Sequence, residues 1–221
     1  MLKLRQDGFT LVELTIVIAI SASLAVIVLT SQSSVRDTAQ FRGVVNSLAS
    51  SLNEVRANAA ASIVTTSTGT HQSTAIFGEL VQARPGDGYL TVSDLTAPLD
   101  VSTNAISGSL TVLNSRSIML PFGVTVKSII SPSTSITTLG TTYTLVYRRL
   151  LSSGKLVLYA VGAADYHNVL NYTESPSATL APGMYPVEAT VITIMDPAGR
   201  FGSVTVDGRH DAATTTQVII Q

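Results

Sequence analysis

The stretch Gly8-Phe9-Thr10-Leu11-Val12-Glu13-Leu14 places one carboxylate near the start of an apolar run that continues to Leu29. Between Phe9 and Leu29 there is no other charge, no proline and no glycine. At about 1.5 Å of rise per residue, these 21 residues of helix reach across a hydrocarbon core of about 30 Å. A carboxylate inside such a helix costs about 2.5–3.5 kcal/mol on insertion scales. Nothing basic lies in the run to neutralise it. The presence of Glu13 therefore has to be explained.

A cut after Gly8 accounts for both the glycine and the glutamate. Phe9 would then carry a free α-amino group, positively charged below a pKa of about 7.7–8.0. In one chain Glu13 stands just over one helical turn from that amine. Among parallel copies staggered along their axis, the carboxylate of one subunit meets the amine of another. The charge is costly in lipid alone and neutralised in an assembly, which favours polymerisation and fixes its register.

The segment GFTLVEL at residues 8–14 resembles the prepilin signature of the type IV filament superfamily. The match includes a short leader with Lys3 and Arg5, Gly8 before the cut, Phe9 after it, and Glu13 as the fifth mature residue. The resemblance implies cleavage between Gly8 and Phe9 by a prepilin peptidase, N-methylation of Phe9, and polymerisation through the N-terminal helix. Two blander readings compete. A secretory signal peptide would use Ser21-Ala22-Ser23 as its cleavage site, yet apolar sequence continues well past it. A plain single-pass anchor would explain Lys3 and Arg5 as positive-inside residues. It leaves Glu13 as a cost and gives Gly8 no role.

Composition narrows the remaining chemistry. There is no cysteine, which excludes disulfides, thiolate metal sites and a cysteine nucleophile. It also sets the chain apart from those pilins that close a C-terminal loop with a disulfide. Charged residues make up 12% of the chain, so Ser and Thr must supply much of its polar surface. The only lysines are Lys3, Lys127 and Lys155, and no polybasic patch exists. From Thr66 onward eight Lys/Arg face ten Asp/Glu, a balance that does not steer the domain toward phosphate.

The helical pattern outlasts the apolar run. Val35, Phe41, Val44, Val45, Leu48, Leu52, Val55 and Ala59 recur mostly at spacings of three or four, with polar residues between them. That is an amphipathic stripe of 3.6 period. No proline falls between Phe9 and Ser62, and Gly43 is the only glycine. The reading is one helix of about 50 residues, roughly 80 Å long. The two-part helix is also what the resemblance implies. The family often has a proline where Thr30 stands, so no kink is expected there. The polar segment Thr30–Ser34 suits a membrane exit.

From Thr65 to Thr74 the Ser/Thr/Gly-rich sequence loses its period and reads as a loop. Beyond it, short β-branched runs alternate with turn residues. Expected strands are Thr74–Phe77, Tyr89–Ser93, Ser109–Leu113, Val124–Ile130, Tyr143–Leu151, Lys155–Val161, Val187–Met195, Phe201–Val206 and Thr216–Ile220. Hairpins are expected across Ser152-Ser153-Gly154 and across Asp196-Pro197-Ala198-Gly199-Arg200, with a further turn at Asp207-Gly208. Helix first and hairpins afterwards give an α+β fold with an antiparallel sheet laid on the second half of the helix.

A catalytic site is not legible. His71, His167 and His210 are isolated and form no metal-ligand spacing. Asp207, Gly208 and Asp211 fall short of a calcium-loop pattern. Asn171-Tyr172-Thr173 fits the glycosylation acceptor pattern and implies at most a surface loop. Neither a phosphate-cradling glycine loop nor a nucleophile elbow is present. No enzyme, cofactor or metal is expected. Leu52-Asn53-Glu54-Val55-Arg56-Ala57-Asn58-Ala59 resembles the helix end of H-type minor pseudopilins and their minor-pilin relatives. The turn Asp196–Arg200 is similar to the family's pre-terminal turn.

The expected organisation is a leader at residues 1–8, a transmembrane and assembly helix at 9–29, an amphipathic helix at 30–62 and a β-rich domain at 63–221. The resemblance implies a minor pilin or pseudopilin of a type IV pilus, type II secretion or competence filament. Its partners would be the prepilin peptidase, other pilin subunits and an inner-membrane assembly platform. It would cross the cytoplasmic membrane once, with the β domain outside the cytoplasm, before entering the filament. An alternative is a tip-located module that captures DNA or a surface ligand through Arg200 and Arg209. Two arginines are few for a salt-sensitive task, and nucleic acid is not the expected partner.

Overall fold

The computed structural model describes residues 10–61, 64–68, 72–100, 105–106, 111–131, 134–136, 141–149, 156–162, 185–186, 189–207 and 215–217. The chain divides into two compact units, Met1–Phe41 and Arg42–Gln221. One helix, α1, runs Leu11–Ala61. Thirteen strands follow: β1 Val64–Thr68, β2 Gln72–Ala83, β3 Tyr89–Asp100, β4 Ala105–Ile106, β5 Thr111–Met119, β6 Thr125–Ser131, β7 Thr134–Ile136, β8 Tyr143–Arg149, β9 Leu156–Gly162, β10 Tyr185–Pro186, β11 Ala189–Met195, β12 Phe201–Asp207 and β13 Thr215–Gln217. The fold is α+β, and its pairings are antiparallel.

The described part of the first unit is helix with no core of its own. In the second unit, α1 buries Val44, Val45, Leu48, Ala49, Leu52, Val55 and Ala59 and turns Asn46, Ser47, Ser50 and Glu54 to solvent. This is the 3.6-period stripe expected from the sequence, with one correction. Val35 is 66% exposed, so the buried stripe starts at Phe41. The helix is uncovered at this point, with Arg36 and Asp37 exposed beside Val35. The end of the helix is closed by the β domain: Arg149 Nη1 donates to the Ala60 carbonyl at 2.9 Å. A cation at the C-terminal carbonyls satisfies an acceptor that helix geometry leaves without an intrahelical donor.

The larger sheet has eight strands, ordered β10-β9-β8-β2-β3-β4, with β1 also on β2 and β5 also on β3. The smaller has five, ordered β13-β12-β11-β6-β7. Along β11 buried and half-buried residues alternate, as in a sheet with one wet face. Six of the seven residues of β8 are buried, so that strand is covered on both faces. The sheets meet where the Tyr143 hydroxyl lies 3.3 Å from Thr190 Oγ1. A bulge between Ile76 and Gly78 bends β2. A Cβ at Gly78 would come within 1.9 Å of the Tyr147 carbonyl oxygen, so only glycine fits.

Several strand expectations are revised. The Ser/Thr-rich segment read as a loop is largely a hairpin, with Thr66, Ser67 and Thr68 of β1 opposite Thr74, Ser73 and Gln72 of β2. β-branched threonine suits a strand as well as a loop, and pairing decides which. β2 and β3 are each 12 residues, well beyond Thr74–Phe77 and Tyr89–Ser93, and form one long hairpin. The strand placed at Ser109–Leu113 lies at Thr111–Met119. The hairpins β8–β9 and β11–β12 are present. In the second, the Gly199 N–H donates to the Asp196 carbonyl and the Asp196 N–H to the Arg200 carbonyl. Residues Ser152–Gly154 and Gly208 lie outside the described residues.

Candidate assembly segment

The segment starts with an N-cap. The Thr10 N–H and Thr10 hydroxyl each donate to Glu13 Oε2 at 2.9 Å, and the Glu13 N–H donates to Thr10 Oγ1 at 3.2 Å. The Leu14 N–H then makes the first helical bond, to the Thr10 carbonyl. This is a capping box, in which residues three apart satisfy each other's orphan donors. A carboxylate at the positive end of a helix is also favoured, typically by about 0.3–1 kcal/mol. Glu13 thus has local work at the helix cap as well as a charge to be neutralised. The signal was in the sequence, as Thr10 followed three residues later by a glutamate.

Beyond the cap, Leu11–Leu29 forms 19 residues of apolar helix, none of it buried. Its rise is about 28 Å, close to the thickness of a hydrocarbon core. Val12, Ile18 and Leu24 stand about 120° apart around the helix and all are exposed. A helix that is apolar all round needs lipid or other helices around it. Two of the three hydroxyls in this stretch turn back on the backbone: Thr15 Oγ1 donates to the Val12 carbonyl at 2.8 Å and Ser23 Oγ to that of Ala19 at 2.9 Å. These two present little polarity to an apolar surrounding.

Gly8 and Phe9, the expected cleavage pair, lie outside the described residues, as do Arg209, His71, His167, His210 and Asn171. Arg200 is half-buried in the β11–β12 turn. Its backbone N–H donates to Asp196 Oδ1 at 2.8 Å, its Nε to Oδ2 at 2.6 Å, and its Nη2 stands 2.5 Å from the same oxygen. Burial opposes the Asp196 carboxylate, but the Arg200 N–H and guanidinium, with the Ala198 N–H, outweigh it and hold the carboxyl below its ordinary range. An arginine used this way is committed to its turn rather than to a phosphate.

The β domain also contains a polar cluster that sequence reasoning missed. Glu79 of β2 stands opposite Asp94 of β3 and Tyr147 of β8. Although only 2% exposed, Glu79 receives Arg116 Nη2 on both carboxylate oxygens at 3.0 Å. Arg116 Nη1 stands 3.7 Å from Asp94 Oδ1, and the Asn58 side chain of α1 also hydrogen-bonds Glu79. Burial pushes the Glu79 carboxyl up, against the pull of Arg116. Burial likewise pushes the Tyr147 phenol up, with Arg56 nearby opposing the shift. The partners come from five elements distant in sequence, and no local pattern announces them. Their arrangement gathers the end of α1 and four strands around one buried carboxylate. Among the described residues no group of three or more His, Cys, Asp or Glu could hold a metal ion.

Residues 3–29 match the family described as the prokaryotic N-terminal methylation motif. No curated protein and no solved structure matches the chain.

Proposed function

From the prepilin signal of type IV pilins and pseudopilins at residues 3–29, we propose that this chain is a filament subunit, a minor pilin or pseudopilin. As a pilin-like substrate of prepilin peptidase it is cut between Gly8 and Phe9 and methylated on Phe9. Lys3 and Arg5 then lie on the cytoplasmic side, Leu11–Leu29 crosses the membrane, and the β domain stands outside the cytoplasm. The observation that carries the reading is the coincidence of the motif with a largely apolar helix of 19 residues, none of them buried in the single chain. An anchor alone needs such a helix; a filament needs it with a carboxylate that can meet a neighbour's amine.

Glu13 has two roles in succession. In the single chain it caps the helix through Thr10. In the assembled filament the same carboxylate neutralises the Phe9 amine of an adjacent subunit. The capping box lowers the cost of holding the charge at the membrane before assembly, because its oxygen already accepts two hydrogen bonds. The N-terminal sequence or intact mass of the membrane-extracted protein tests processing. A mature chain starting at Phe9 supports the reading. A chain starting at Met1 in cells that have the peptidase, or one starting after Ser23, contradicts it.

A further inference from the structure

The β2–β3 hairpin turns through Arg84-Pro85-Gly86-Asp87, with the Asp87 N–H donating to the Arg84 carbonyl at 3.1 Å. Pro85 suits the second position of a type II turn, and Gly86, at φ +95°, takes the third, where φ must be positive. Strands outside the hairpin fix this turn. The Gly86 N–H donates to the Val126 carbonyl at 2.8 Å and the Val126 N–H to the Asp87 carbonyl at 2.9 Å. One residue on, the Leu120 N–H donates to the Gly88 carbonyl at 2.8 Å.

Beside the turn lies a shallow concavity of about 110 Å³, open to solvent, lined by Gln82, Arg84, Asp87, Tyr89, Thr91 and Thr142. Thr142 Oγ1 accepts from Arg84 Nε at 3.3 Å and Nη2 at 3.2 Å, which fixes the plane of the guanidinium. The Asp87 carboxylate, the Gln82 amide and the Tyr89 hydroxyl have no hydrogen-bond or ion-pair partner among the described residues. Tyr89 is 43% exposed, a large aromatic surface left to water beside these groups.

We propose that this concavity binds the ring of a neutral sugar. A pyranose ring presents pairs of neighbouring hydroxyls, each both donor and acceptor, and an apolar face of C–H groups. Planar amide, carboxylate and guanidinium groups match adjacent hydroxyls two at a time, and the electron-rich face of a tyrosine meets the C–H surface. Arg84 and Asp87 bring opposite charges, so the site offers no net field to hold an anion, which selects a neutral ring. Because the turn is fixed before any ligand arrives, little ordering entropy is lost on binding. The site is open at one side, so a sugar within a longer glycan enters as readily as a free one. The proposal is independent of the filament reading and would survive its failure.

The test uses the full chain in a sugar-free zwitterionic detergent, with saturation-transfer NMR on methyl glucoside, methyl galactoside, methyl mannoside and N-acetylglucosamine, and glucuronate as the charged comparison. At least one neutral ring should bind saturably, with a dissociation constant on the order of 1 mM. Its C–H face should receive the strongest transfer. Tyr89→Ala and Asp87→Ala should each weaken binding at least about tenfold with an unchanged melting temperature, while Tyr89→Phe, which keeps the ring, should stay within about threefold. Should Tyr89→Ala not fold, Asp87→Ala and Arg84→Ala decide alone. No binding of any neutral ring at about 20 mM, equal binding by the variants, or preference for glucuronate overturns the proposal.

Discussion

Helix α1 obeys two different rules along one backbone. Between Leu11 and Leu29 it is apolar on every side and none of it is buried; between Val44 and Ala59 one face is buried and the other carries Asn46, Ser47, Ser50 and Glu54. The second stretch has its solvent inside the chain, in the β domain. The first has no such solvent, so its sequence is written for surroundings that other molecules must supply. An exposed apolar surface of that extent is stable only in lipid or against other helices.

The largest effect that could break this comparison is a buried charge. Leu52→Asp should destabilise the β domain by about 3–5 kcal/mol, because the carboxylate enters an apolar interior without a partner. Ile18→Asp should leave the domain's melting temperature unchanged and instead impair membrane insertion by about 2.5–3.5 kcal/mol. Thermal unfolding of the full chain in detergent, followed by near-ultraviolet circular dichroism, reads the first effect and membrane fractionation the second. Equal losses of melting temperature in the two variants would erase the distinction.

Sequence alone separated these two stretches well. The apolar run and the stripe from Phe41 to Ala59 both follow from side-chain period, which needs no knowledge of the rest of the fold. Val35 was misplaced because period says which face an apolar residue occupies and not whether anything covers it. The length of the β2–β3 hairpin is not legible in the sequence, although Pro85-Gly86 marks its turn. The Gly78 bulge offsets the two-residue alternation of β2, and Asp94 and Asp100 interrupt the apolar pattern of β3. Glu79 and Arg116 were not legible at all, since their pairing depends on strand order. At the N-terminus both the motif and the Thr10–Glu13 cap are local in sequence, the cap as a threonine three residues before a glutamate.

Smaller effects sharpen the account of the buried half. Arg116→Ala leaves the Glu79 carboxylate buried without its cation and should cost about 2 kcal/mol, less than a wholly buried pair because Arg116 is 42% exposed on its side chain. Adding Glu79→Gln should recover much of that loss in chemical denaturation. If the double variant is as weak as Arg116→Ala, the charge is not what needs Arg116.

The pH profile of the β domain should then have two limbs of opposite sign. The Glu79 carboxyl titrates above its ordinary 4.5, so its ionised form costs stability that returns as pH falls toward that value. The Asp196 carboxyl titrates below its ordinary 3.8, so its contribution is complete above that value and is lost as pH falls through the folded pKa. Melting temperature should rise on mild acidification from neutral and drop below about pH 3.8. Glu79→Gln should flatten the upper limb and Asp196→Asn the lower. These variants should leave the Leu11–Leu29 segment's membrane association untouched.

The central claim is that Glu13 serves assembly as well as the helix cap, and Glu13→Gln tests it most directly. Glutamine retains the capping box but cannot neutralise a neighbour's amine. In cells carrying only this variant, the account predicts a chain cut to Phe9, retained in the membrane, and absent or strongly depleted from sheared filaments. Normal incorporation of Glu13→Gln into filaments would contradict it and reduce Glu13 to a helix cap.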